Sequence, residues 1–284
     1  MPHVKVGREN SGDIEIYYED LGTGQPVILI HGFPLNGHSW EKQTAMLIDN
    51  GFRVITYDRR GFGASSQPSS GYDYDTFAAD LDKLMTALDL RDAVLIGFSM
   101  GTGEVTRYLS TFGRERVSRA VLIGAIPPFL LKTDDNPNGV DRTVFDGIKA
   151  AIAFDRPSYF TTFFKNFYNT DKLGGGILSE ARITDEAVQM SWNVAVGASA
   201  IATFKCVDAW LTDFRDDLPK IDVPTLIIHG DDDRILPLAS TSERLPKLIK
   251  NSRLSVISGG PHAIGWTHAD QVNPEILKFL REGS

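Results

Sequence analysis

The chain has 284 residues, of which 42% are hydrophobic, 10% aromatic and 23% charged, the proportions of an ordinary globular protein with enough core to fold without staples. Its 29 basic side chains against 37 acidic ones leave a net charge of −8, a field that repels nucleic acid and anionic lipid, and the single Cys206 excludes an intrachain disulfide or a thiolate zinc site. No apolar stretch reaches the roughly 18 residues of a membrane span, and the N-terminus lacks the apolar core of a secretory signal, so a soluble cytoplasmic protein with no nucleic-acid or membrane partner is expected.

Two stretches open the chain as predicted strands, residues 4–7 and 14–21. In the second, Ile14, Ile16 and Tyr18 alternate with Glu15, Tyr17 and Glu19, the period of two expected of a half-buried strand. Short continuous apolar runs follow, each closed by Gly or Asp. They are 27–30 before His31-Gly32, 54–57 before Asp58, 93–96 before Gly97, 121–123 before Gly124 and 225–228 before His229-Gly230. Such runs predict parallel strands buried on both faces. Helix-length amphipathic stretches lie between them, at 74–88 and 100–112. The alternation predicts a doubly wound α/β sheet, which places its functional site at the carboxyl ends of the strands.

The alternation stops between Pro127 and Asp216, a segment that holds 13 of the 28 aromatic residues and a break at Gly174-Gly175-Gly176. Phe160, Phe163, Phe164 and Phe167 recur at the spacing of one helical face. The prediction is a helical cap at 127–216 inserted into a core of 1–126 and 217–284. The stripe would dock the cap or line an apolar pocket, different rings doing each.

Gly97-Phe98-Ser99-Met100-Gly101 fits G-x-S-x-G at a predicted strand-to-helix turn. Glycines two residues either side of a serine let neighbouring chain approach a sharp turn, and the following helix aims its N-terminal N–H groups where acyl transfer develops negative charge. Ser99 is the candidate nucleophile. Six histidines compete to be its base. His31 and His229 end buried strands and read as loop-fixing groups. His3, His38 and His268 lie on the first strand, at a polar helix start and in a C-terminal helix. His262 follows the last strand-like run, 254–258, and completes the order Ser, Asp, His. The acid must come from the loop after 225–228, where Asp231, Asp232 and Asp233 leave three alternatives open.

Taken together, several blocks resemble the α/β-hydrolases, specifically the cofactor-free bacterial haloperoxidase, perhydrolase and aryl esterase group with its related γ-lactamases. They are His31-Gly32-Phe33-Pro34-Leu35, Tyr57-Asp58-Arg59-Arg60-Gly61-Phe62-Gly63, the Ser99 turn, Asp80-Leu81, Trp192-Asn193, His229-Gly230-Asp231-Asp232-Asp233 and Pro261-His262. The resemblance covers the chain from Val4 to Leu280. It implies an eight-stranded, mostly parallel sheet with helices on both faces, the acid at Asp233, and oxyanion donors at the Phe33 and Met100 backbone N–H groups. It also implies pocket residues Pro34, Phe129, Trp210 and Ile235, and no cofactor or metal. Where family members often carry Gly after the histidine, this chain has Ala263 and Ile264, a change expected to narrow the pocket beside the base. Asp58 to Gly63 should brace the oxyanion loop. The implied activity is hydrolysis of small carboxylic esters through an acyl-enzyme, with hydrogen peroxide as an alternative acceptor giving a peracid. Hydrolysis of strained lactams, a small-molecule receptor without turnover, and self-association into a homo-oligomer stay open.

Overall fold

The protein is described by a computed structural model over residues 2–174 and 181–282, so Gly175 and Gly176 of the predicted glycine break lie outside the described residues. Among the described residues eight strands form: β1 (His3–Glu9), β2 (Gly12–Leu21), β3 (Pro26–Ile30), β4 (Arg53–Tyr57), β5 (Ala93–Phe98), β6 (Val117–Ile123), β7 (Thr225–Gly230) and β8 (Ser252–Ile257). They make one sheet in the order β1-β2-β4-β3-β5-β6-β7-β8. β2 runs antiparallel to both β1 and β4, and the six strands from β4 to β8 are parallel. The continuous apolar runs are the central strands, and every residue of β5 and β7 is buried.

The helices are α1 (Glu41–Asp49), α2 (Tyr74–Ala87), α3 (Met100–Phe112), α4 (Arg142–Tyr168), α5 (Thr170–Leu173), α6 (Asp185–Gly197), α7 (Ala200–Ala209), α8 (Ile264–Thr267) and α9 (Ala269–Arg281). α2 packs with α3 and α1 with α9, and each pair also contacts strands. Asp73 starts α2 by accepting the Thr76 N–H, the side-chain cap that a helix N-terminus needs. Two expectations shift at the edges. β6 begins at Val117, ahead of the apolar run: Val117 and Arg119 pair with Ala93 and Val94 of β5, and a register shift between those two pairs leaves Ser118 out of the ladder. His268 sits at the junction of α8 and α9 rather than inside a helix.

The insertion between β6 and β7 carries α4 to α7. α4 is bent at Asp155, whose backbone is non-helical and whose side chain accepts the Ser158 N–H, while Pro157 occupies the first turn beyond. Phe160, Phe164 and Phe167 of the aromatic stripe are completely buried, whereas Phe163 is only partly buried. Among the described residues, no helix is long and apolar enough to cross a membrane.

The turn after β4 is held by buried charge. Arg59 donates from Nε to Glu104 of α3 at 2.7 Å and from Nη2 to the His31 carbonyl at 2.9 Å, and the Tyr57 hydroxyl donates to the same carboxylate. Asp58 accepts the Gly37 N–H at 2.8 Å and the Ala64 N–H at 2.7 Å, and Arg60 pairs with Asp80 through two hydrogen bonds. This is the predicted brace, and Asp80 belongs to it. Removing one partner of a buried pair strands the other without compensation, at a cost of about 3–5 kcal/mol. Glu104→Ala should therefore lower the melting temperature by roughly 10 °C, at about 2–4 °C per kcal/mol for a domain of this size. A fall under about 2 °C would mean that the Arg59 network contributes little.

Candidate active site

Ser99 connects β5 to α3 with φ 52° and ψ −118°, a conformation that a non-glycine residue adopts at a cost of about 1–3 kcal/mol. The flanking glycines are needed because backbone crowds the turn. A Cβ on Gly97 would lie 2.6 Å from the Gly101 carbonyl oxygen, and one on Gly101 would lie 2.3 Å from that of Ile30. The elbow thus presses against the end of β3, where Gly32-Phe33 begins the next loop. A Cβ on Gly32 would sit 2.9 Å from that of Ser99.

His262 lies in the loop after β8. Its Nε2 is 2.8 Å from Ser99 Oγ and its Nδ1 is 2.7 Å from Asp233 Oδ2, and all three residues are buried. Asp233 Oδ1 accepts the N–H groups of Ile235 and Leu236, both at 2.8 Å, which fixes the carboxylate so that Oδ2 faces the imidazole. Burial pushes the Asp233 carboxyl up, but His262 and His229 beside it outweigh that and hold it well below the usual carboxylate range. An ionised Asp233 keeps the proton of His262 on Nδ1 and leaves Nε2 free to accept from Ser99.

The competing acids have other tasks. Asp231 accepts the Gly259 N–H at 2.6 Å. Asp232 is bound by Asn169 and Lys172 at the end of the cap helices, at 2.9 and 2.6 Å. The other histidines are likewise engaged. Burial, with Arg59 beside it, pushes the His31 imidazole well below its ordinary range, so the ring is neutral. Its Nδ1 donates to the Gly32 carbonyl at 2.9 Å and its Nε2 accepts the Arg59 backbone N–H at 3.0 Å, the loop-fixing task expected of it. His38 is exposed against Glu19, and His268 bonds Thr267.

Phe33 and Met100 are both buried, and among the described residues neither backbone N–H has a protein acceptor. The Phe33 ring is gripped by Phe62, Phe160, Phe163 and Trp210, with the Trp210 centroid 4.8 Å away. Pro34 follows through a cis peptide bond, is buried, and forms no wall of the cavity at Ser99.

That cavity has a volume of ≈ 210 Å³. Phe33, Ile126, Leu130, Phe163, Trp210, Ile235 and Leu236 line it, together with Val144, Phe145 and Ile148 from the first half of α4, and Arg234, Ser240 and Thr241 add polar atoms. Of the residues expected as walls, Trp210 and Ile235 are there and Phe129 is not. The Phe129 ring is buried under the Arg215 guanidinium, 5.0 Å from its centroid, and its carbonyl accepts from Asn136. The α4 residues are walls beyond those expected from the sequence. Their signal was the spacing of Val144, Phe145 and Ile148, one helical face just before the Phe160 stripe. A second cavity of ≈ 120 Å³, lined by Trp40, Phe98, Phe167, Tyr168, Val194 and Ala263, excludes Ser99. Ala263 therefore narrows this second space rather than the one at Ser99, and Ile264 is buried against Gly260. Trp192 is structural, donating from its indole to the Pro157 carbonyl at 3.1 Å.

Over residues 25–269 the chain matches the family described as alpha/beta hydrolase fold. It is 71% identical over 281 residues to the "Putative non-heme chloroperoxidase" of Synechocystis sp., covering 99% of this chain and 100% of that one. It is 34% identical to the "Bifunctional esterase/perhydrolase DCH" of Acinetobacter calcoaceticus, over 94% of this chain and 96% of that one. Among solved structures, a bromoperoxidase from Bacillus anthracis superposes with a TM-score of 0.93 at 44% identity, covering 99% of each chain.

Proposed function

The chain belongs to the α/β-hydrolase fold family and is a close homologue of the non-heme chloroperoxidases and of an esterase/perhydrolase; from that membership we propose a serine hydrolase that acts on small carboxylic esters through an acyl-enzyme and passes the acyl group to water or hydrogen peroxide. The observation that carries the reading is the bonded series Asp233–His262–Ser99, set on a strained elbow that opens into a mainly apolar cavity of ≈ 210 Å³. A site of that size and lining suits a short acyl group.

In the proposed chemistry, His262 Nε2 takes the Ser99 proton as Oγ attacks the ester carbonyl, and Asp233 stabilises the imidazolium. The unengaged Phe33 and Met100 N–H groups receive the oxyanion, each worth about 3–4 kcal/mol where such donors have been removed. His262 returns the proton to the leaving alkoxide. It then deprotonates water, giving the carboxylic acid, or hydrogen peroxide, giving the peracid. A free carboxylic acid can acylate Ser99 by the reverse path, releasing water. Halide oxidation follows off the enzyme, as the peracid transfers an oxygen atom and reverts to the acid. The helical insertion, taken as residues 127–216, roofs the acyl site with Phe163 and the first half of α4.

The test is a panel of short p-nitrophenyl esters, acetate plus hydrogen peroxide, and a γ-lactam, run beside labelling by an alkyl fluorophosphonate. The expected result is rapid release from acetyl and propionyl esters, peracid formation, and a single label on Ser99. Preferred lactam turnover would move the assignment to amidase chemistry, and ligand binding with neither turnover nor label would identify a receptor.

A further inference from the structure

The penultimate residue of β7 is a buried histidine that the proposed chemistry does not use. His229 Nε2 lies 2.8 Å from the Leu236 carbonyl oxygen and 3.2 Å from Asp233 Oδ2, and Nδ1 lies 2.6 Å from Ser242 Oγ. Both neighbours of Nε2 are acceptors, so the ring proton sits on Nε2 and the Ser242 hydroxyl donates to Nδ1. Asp233 Oδ2 is therefore flanked by two imidazoles, His262 at 2.7 Å and His229 at 3.2 Å. The contacts run Ser242–His229–Asp233–His262–Ser99 through buried side chains.

Two effects follow from that arrangement. With Oδ1 engaged by the Ile235 and Leu236 amides, Oδ2 bonded to His262 and the His229 ring against it, the carboxylate has no free rotation. The His229 N–H, which donates to the Leu236 carbonyl, also sets its positive end 3.2 Å from the oxygen facing His262, and a carboxylate stabilised from a second side stabilises an imidazolium less. The remaining charges of the acid loop turn away: Asp231 to Gly259, Asp232 to Lys172 and Arg234 to Asp171. The elements packed on His262 present the neutral rings of Phe98 and Phe167 and the backbone at Gly124.

We propose that His229, oriented by Ser242, is a positioning residue that locks Asp233 and weakens its hold on the His262 imidazolium. The inference rests on the acyl-enzyme reading, whose own failure would show separately as undiminished turnover in Ser99→Ala.

The experiment is the pH dependence of kcat/KM for p-nitrophenyl acetate, whose acid limb reports the base. His229→Phe keeps ring volume without an N–H and should move that limb upward by about half to one pH unit, with the alkaline plateau within about threefold of wild type. His229→Gln, whose carboxamide nitrogen can occupy the Nε2 position, should bring the limb back. An unmoved limb with a uniformly lowered plateau, or a Gln variant shifted as far as the Phe one, would overturn the proposal. Nitrogen-15 histidine spectra of the wild-type protein provide a check that needs no variant: the proton of His229 is expected on Nε2, and finding it on Nδ1 would remove the contact to Asp233.

Discussion

Ser99→Ala is expected to abolish ester hydrolysis and peracid formation together, each by about 10⁴-fold or more, the scale seen when the nucleophile of a bonded triad is removed. The two losses should be equal because both products descend from one acyl-enzyme. The fold should survive, since the Ser99 hydroxyl bonds only the His262 ring and alanine meets the same backbone at φ 52°. p-Nitrophenol release, peroxide-dependent bromide oxidation and a melting curve measure the three quantities. Bromide oxidation that persisted in the variant would show that peroxide chemistry does not pass through Ser99.

Asp233→Asn should lower kcat by about 10⁴-fold, whereas Asp231→Asn should stay within about threefold of wild type. An amide at 233 can offer its NH₂ to His262 Nδ1, which favours the tautomer with its proton on Nε2 and so removes the acceptor for the Ser99 hydroxyl. Asp231 serves the Gly259 N–H, a contact that an asparagine oxygen still makes. The sign of the pH effect follows from the depressed acidity of Asp233. Its stabilising contribution is full above the unfolded carboxyl value of about 3.9 and is lost only as pH falls through the lower folded value. The Asn variant should therefore lose stability relative to wild type at neutral pH and converge with it in strong acid. Equal kinetic losses at 231 and 233 would displace Asp233 from its assigned place.

Much of this site could be read locally. The apolar runs that became β3, β5 and β7, the elbow at Ser99 and the loop at His262 carry signals within a few residues of each position, because strand burial and tight turns depend on near neighbours. Resemblance, rather than spacing, singled out Asp233. Phe129 shows the limit in the opposite sense: it stands near a cap junction, as a pocket wall should, but the Arg215 guanidinium covers its ring. Nothing within ten residues of Phe129 announces an arginine 86 positions away.

By itself, then, the sequence determined the layered α/β architecture, a stretch of helices between β6 and β7, and the residue types that meet in the Ser99–His262–Asp233 contacts. Periodicity, glycine spacing and chain order are one-dimensional expressions of short-range sterics. Tertiary structure decided which of three adjacent aspartates faces the imidazole, by giving Asp231 to Gly259 and Asp232 to Asn169 and Lys172. It also decided which half of α4 lines the cavity, and that His229 shares the acid's oxygen with His262. Three carboxylates in a row are chemically alike. What separates them is the partner each meets after the chain closes, and those partners come from elements tens of residues away.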